Sequence, residues 1–123
     1  MEDSFRHQGL RKILIDHLSA KGITSKKVLE AMNKIPRHLF MDNAFVNFSY
    51  QDKAFPIGAG QTISQPYTVA FQSQLLDIKP YEKVLEVGTG SGYQAAVLSL
   101  LNTEVFTIER QRDLFLKTKN FLP

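Results

Sequence analysis

"VLEVGTGSGYQAA", residues 84–96, runs from a short apolar stretch into three glycines at alternate positions. That pattern reads as a buried strand, a glycine loop and the first turn of a helix. Gly88, Gly90 and Gly92 admit three readings: a cradle for a pyrophosphate, a wrap for another nucleoside cofactor, or a tight structural turn. Two acids discriminate among them, Glu86 just before the loop and Glu109 further on.

The dinucleotide fingerprint requires Gly-x-Gly-x-x-Gly or a terminal Ala. Counted from Gly88 the third position is Tyr93; counted from Gly90 it is Ala95, so the spacing alone does not exclude it. Glu86 weighs against it, because a carboxylate beside the loop repels a pyrophosphate. It suits a cofactor that carries positive charge, and S-adenosyl-L-methionine brings an ammonium and a cationic sulfur. Glu109 ends the next apolar run, 21 residues after Gly88. A carboxylate there accepts hydrogen bonds from ribose hydroxyls, as in dinucleotide folds. Acid-x-Gly-x-Gly-x-Gly with a strand-end acid resembles the class I S-adenosylmethionine-dependent methyltransferases.

Working outward, Val84–Val87 reads as a strand, Tyr93–Leu101 as a helix, Val105–Ile108 as a second strand, and a last helix runs from Gln111 to Pro123. Strand, helix, strand at this spacing predicts a parallel βαβ unit. Upstream, Leu10, Ile13, Leu14 and Leu18 share a helical face with a stop at Gly22. Thr24 is the expected cap of a second helix reaching about Asn33, with Ile23 and Val28 as its hydrophobic staple. Residues 37–63 are aromatic-rich and lack a period, which predicts loops and short pieces. Ser64 is the expected cap of a third helix through Asp77, with Pro66 in its first turn. The expected division is a helical and loop region at 1–63 and the first part of a cofactor-binding domain at 64–123. The fold class is α/β: N-terminal helices followed by the first βαβα part of a doubly wound, Rossmann-like sheet. Parallel sheets are normally larger and covered on both faces, so the expectation is an incomplete domain whose unfinished edge favours self-association.

With 43% hydrophobic and 22% charged residues, the 123-residue chain can bury a core. There is no cysteine, which excludes disulfides and thiolate metal sites. No apolar run approaches the ~20 residues of a membrane span, and the polar N-terminus has no signal-peptide core. The expected setting is cytoplasmic, with no membrane or nucleic-acid partner. Residues 1–40 hold eight Lys/Arg against four Asp/Glu, and residues 41–123 seven against eight. A basic lobe attracts anions, but the ordinary reading is a solvated helix face. His7, His17 and His38 lack ligand spacing, so no metal site is expected.

"PIGAGQTISQPYTVA", residues 56–70, offers glycines, hydroxyls at Thr62 and Ser64, and helix N–H groups suited to an anion. Together with upstream "IPRHLF" and the glycine loop, "GQTISQPY" resembles the protein-L-isoaspartate O-methyltransferases. The resemblance implies methyl transfer from S-adenosyl-L-methionine to the free carboxylate of isoaspartyl residues in damaged proteins and peptides. It places the active-site serine at Ser64 and cofactor contacts at Thr62, Ile63, Ser64, Glu86, Gly88, Thr89, Gly90, Gly92 and Glu109. The competing readings are a non-catalytic interaction module and a methyltransferase acting on RNA or a small molecule.

Overall fold

The computed structural model describes residues 2–122. Helix α1 spans Phe5–Ala20, started by the Ser4 hydroxyl accepting the His7 N–H. It ends at Gly22 (φ +106°), where the Gly22 and Ile23 N–H groups return to the carbonyls of Ser19 and Leu18. Its buried face is Arg11, Leu14, Ile15 and Leu18. Ile13, expected inside, is 67% exposed. The stripe is rotated because Arg11 belongs to it: its guanidinium bonds the Asn33 carbonyl, the Tyr50 hydroxyl and both Asp3 oxygens.

Helix α2 spans Lys26–Lys34 and is capped by Ser25, one residue later than expected. The N–H groups of Thr24 and Ser25 both donate to Gln74 Oε1, 2.8 Å away, so a residue from a later helix sets the entry angle. Ile23 and Val28 still enter the core. Pro36 then excludes further α-helix.

Two 3₁₀ turns follow, Arg37–Phe40 and Asn43–Phe48, then an antiparallel hairpin of β1 (Phe55–Gly58) and β2 (Gln61–Ile63). The hairpin is hidden in the sequence because Ala59-Gly60 makes its turn. Both residues have positive φ, a conformation usually signalled by Asn-Gly.

Arg37 organises this segment. Fully buried, it donates from Nε to the Ser49 carbonyl and from Nη2 to those of Lys53 and Ser64. Its guanidinium carbon lies 4.8 Å from the centre of the Tyr93 ring. One side chain thereby ties the 3₁₀ turns to the end of the hairpin.

Helix α3 (Pro66–Leu76) leads to β3 (Lys83–Val87), α4 (Tyr93–Ser99), β4 (Glu104–Ile108) and α5 (Arg112–Phe121). β3 and β4 pair in parallel with Glu86 opposite Thr107 and Val87 opposite Ile108. The expected βαβ unit is present with bounds shifted by one or two residues; Pro123, the expected end of the last helix, lies outside the described residues. One buried cluster joins Leu18, Val28 and Met32 to Val69, Tyr93, Val97 and Leu114, across the expected division at 63/64. Val84 and Val105 pack against it, while Leu85, Val87, Phe106 and Ile108 face outward exposed. Among the described residues no helix is long and apolar enough to cross a membrane.

Arg37→Met keeps the side-chain volume roughly but removes the donors from three carbonyls. It should cost about 2–4 kcal/mol, since each acceptor left without a partner carries its own penalty. Urea denaturation measures this; unchanged stability would show that the Arg37 bonds contribute nothing net.

Candidate functional site

β3 ends where β4 supplies partners for the turn that follows. The Ile108 carbonyl accepts the N–H groups of both Gly88 (2.8 Å) and Thr89 (3.1 Å). Next to it, Glu109 Oε1 accepts the Gly90 N–H and Oε2 the Gln111 N–H, each at 2.8 Å. The Glu109 carboxylate thus bridges the glycine loop and the first residues before α5. These bonds, from Gln111 and then Gly90, hold its pKa below the ordinary glutamate value of 4.5.

Gly92 caps α4 at φ +87°, and a Cβ there would stand 3.1 Å from both Leu122 Cδ1 and Thr118 Cγ2. It is therefore a packing glycine beneath α5. Thr118, itself buried, donates its hydroxyl to the Gly90 carbonyl. Gly88 differs: no atom outside its chain neighbours lies within 4 Å of a Cβ placed there. Its backbone is open to a close approach.

A cleft of about 700 Å³ runs along this loop. Thr62 and Ser64 line one side, and Gly88, Gly90 and Glu109 the other. Five of the residues singled out in the sequence therefore converge on one space. Ile63, Glu86, Thr89 and Gly92 do not line it. Ile63 is in the core, Thr89 is buried, and Gly92 packs under α5. Glu86 stands on the other face of the strand because side chains alternate, and Val87 takes the cleft side. Its carboxylate accepts the Thr107 hydroxyl at 2.6 Å. Burial raises its pKa, the Thr107 bond opposes that, and the charge of Glu109 adds to it.

Ser64 is exposed and is not the cap of α3. Gln65 holds that position without a side-chain bond, and Pro66 has no N–H to offer. The Tyr67 N–H goes to Asp52 Oδ1 at 2.8 Å, and Lys21 pairs with Asp52 Oδ2 at 2.9 Å. The expected anion seat at this helix end is thus filled by the chain's own carboxylate. Burial raises the Asp52 pKa, but the hydrogen bonds from Lys21, the Tyr67 N–H and Gln65, with the Lys21 charge, together outweigh it and the pKa is lowered. What holds Ser64 in place is its carbonyl, bound by Arg37.

Asp52, Arg37 and Thr107 are the residues that motif reading missed. Each acts on a partner at least 12 positions away, and no local spacing announces such a pair. Two histidines pack, His7 and His38 stacking at 3.8 Å with His38 bonded to the Tyr50 hydroxyl and the Glu2 carbonyl, while His17 is exposed. Among the described residues no group of three or more His, Asp or Glu is placed to hold a metal ion. Two residues of the basic lobe, Arg11 and Arg37, are spent internally.

Residues 9–122 match the family model described as protein-L-isoaspartate(D-aspartate) O-methyltransferase. The chain is 66% identical over 122 residues to a protein-L-isoaspartate O-methyltransferase of Christiangramia forsetii, covering 99% of this chain and 57% of that protein. It is 63% identical to the enzyme of the same name from Flavobacterium johnsoniae, covering 100% and 58%. The chain therefore spans a little over half the length of these relatives. Among solved structures, a protein-L-isoaspartate O-methyltransferase superposes with a TM-score of 0.79 at 28% identity, over 89% of this chain and 37% of that one. A candidate enzyme of that name from Plasmodium falciparum, in complex with S-adenosyl-L-homocysteine, gives 0.77 at 27% identity, over 89% and 53%.

Two outcomes follow from the loop geometry. Gly92→Ala should destabilise the protein by about 1–3 kcal/mol through left-handed strain together with the close contacts to Thr118 and Leu122, measured by denaturation; a neutral result would contradict both the left-handed backbone and the packing of α5 there. Because the Glu109 pKa is depressed on folding, its bonds stabilise the loop above the unfolded pKa and are lost as pH falls through the folded one. NMR titration should place its midpoint below 4.5, with the Gly90 amide losing exchange protection as that lowered midpoint is passed. A midpoint at or above the ordinary value would contradict the bridging geometry.

Proposed function

The chain belongs to the protein-L-isoaspartate(D-aspartate) O-methyltransferase family, and we propose on that basis that the protein methylates the free carboxylate of isoaspartyl residues in damaged proteins and peptides. The main-chain nitrogen of the next residue then attacks the ester carbonyl, expelling methanol and closing a succinimide, which water opens in part to ordinary aspartate. The observation that carries this reading is the convergence of Ser64 and Glu109 on one cleft with the glycine loop as its floor.

The residues fit a nucleoside cofactor. The backbone at Gly88 is open to close approach. Glu109 is an ionised acceptor already oriented by two N–H groups, and its carboxylate keeps further lone pairs for ribose hydroxyls. S-adenosyl-L-methionine, when bound, supplies an electrophilic methyl group. The chain's residues then have to bind, align and exclude water. Thr62 and Ser64 face the loop across the cleft, and the exposed Ser64 hydroxyl orients the acceptor carboxylate by hydrogen bonding. That carboxylate is ionised at neutral pH, its reference pKa being about 4, so no general base is required. Alignment alone is worth effective molarities of roughly 10⁵–10⁸ M. A cytoplasmic setting and isoaspartyl proteins as partners belong to the same proposal.

In the complete enzyme, Ser64→Ala should lower turnover on an isoaspartyl peptide by on the order of 10²-fold through misplacement of the acceptor, with little change in S-adenosyl-L-homocysteine affinity. Since Ser64 caps no helix, its melting temperature should be that of the wild type. Normal turnover would remove Ser64 from the site. Glu109→Ala should weaken S-adenosyl-L-homocysteine binding by about 1–3 kcal/mol, measured by calorimetry; tighter binding of NADH would instead restore the dinucleotide reading.

The outward face of β3 and β4 supports a second element of the proposal. Leu85, Val87, Phe106 and Ile108 are 46–76% exposed, and among the described residues each strand has one neighbour only. Such edges and apolar faces favour pairing with another chain. The 123-residue polypeptide by itself should self-associate and show little methyl transfer. Light scattering with an activity assay on one sample tests both; an active monodisperse monomer would contradict it.

A further inference from the structure

Glu86 and Thr107 are register partners, so their side chains stand together on one face of the two strands. Thr107 gives its only hydroxyl proton to Glu86 Oε1 at 2.6 Å. The Thr89 hydroxyl lies 2.6 Å from the Thr107 oxygen. With its own proton committed, Thr107 acts there as acceptor and Thr89 as donor. The bonds therefore run in one direction, from Thr89 to Thr107 to the Glu86 carboxylate, and an ionised terminal acceptor strengthens both links.

None of the three lines the cleft. Thr89 is nonetheless the second residue of the glycine loop, between Gly88 and Gly90, which do line it. From the front the loop is held by Ile108 and Glu109 through backbone N–H groups. The hydroxyl chain holds it from behind. We propose that Thr107 is a positioning residue for the glycine loop, through which Glu86 acts on the bound nucleoside without touching it. This rests on the methyltransferase reading of the cleft. It gives a different account of the acid before the loop: Glu86 anchors a brace, and Glu109 alone presents a carboxylate to the cofactor.

The test uses Thr107→Val and Thr107→Ser. Valine keeps the shape and strand preference of threonine but breaks both links; serine keeps the hydroxyl. Two readouts are taken on each protein: amide hydrogen exchange across residues 88–92 without ligand, and S-adenosyl-L-homocysteine affinity by calorimetry. In Thr107→Val, exchange at Thr89 and Gly90 should quicken and affinity fall, each by about tenfold, as loss of a part-buried hydrogen bond predicts. Thr107→Ser should stay near the wild type in both. Loop exchange unchanged in the valine variant, unchanged affinity despite faster exchange, or failure of serine to restore either would overturn the proposal. So would Glu86→Gln weakening binding far more than Thr107→Val, since that marks direct contact with the cofactor. If the wild type binds no S-adenosyl-L-homocysteine while the exchange pattern holds, the methyltransferase reading fails and the brace stands.

Discussion

The end of β4 holds the end of β3, and the glycine-loop wall of the site depends on that junction. Parallel pairing brings Ile108 level with Val87, so the next carbonyl and carboxylate along β4 meet the N–H groups of the turn. Three bonds result, from Gly88 and Thr89 to the Ile108 carbonyl and from Gly90 to Glu109. A loop of alternating glycines has many conformations to lose on folding. These bonds select one of them, in which Gly88 is open to the cleft and Gly92 is closed under α5. Spacing alone does not distinguish the two glycines; packing does.

The opposite wall depends on a different device. Ser64 sits in a turn with no secondary structure of its own, between β2 and α3. Arg37 takes its carbonyl and, with the same guanidinium, those of Ser49 and Lys53. Burying a cation is costly unless its donors are used, and this one is offset by three carbonyls and the Tyr93 ring. Asp52 completes the wall by bonding the first free N–H of α3 and pairing with Lys21 of the α1 terminus. The segment between α2 and the hairpin therefore positions Ser64 at a distance in sequence.

Much of this was legible in the sequence, and the failures share a cause. The apolar run 84–87, the helix after the loop and the run 105–108 are strongly patterned, and the structure places them within two residues of expectation. Ser64 and Glu109 were recognisable by motif, and they do share a cleft. Ser64 was misread as a cap because Asp52, 15 positions from the N–H it binds, takes that role, and Thr24 because Gln74, 50 positions away, holds its N–H while Ser25 caps the helix. Ile13 was misread as core because Arg11, a charged residue, is buried in its place. Glu86 was expected at the cofactor from an acid beside glycines; strand alternation turns it to the face away from the cleft, where it accepts the Thr107 hydroxyl. Local chemistry was readable; long-range hydrogen bonds were not.

Chemical-shift mapping tests the central claim most directly, that one cleft between the Thr62–Ser64 turn and the glycine loop holds the nucleoside. Backbone amides of the protein are followed while S-adenosyl-L-homocysteine is added. Saturable shifts are predicted at Thr62, Ser64, Gly88, Gly90 and Gln111 with a common midpoint, and smaller ones at Gly92, which lies off the cleft. Saturable binding that leaves these amides unmoved, or that moves the Thr62–Ser64 turn and the glycine loop with different midpoints, would contradict it.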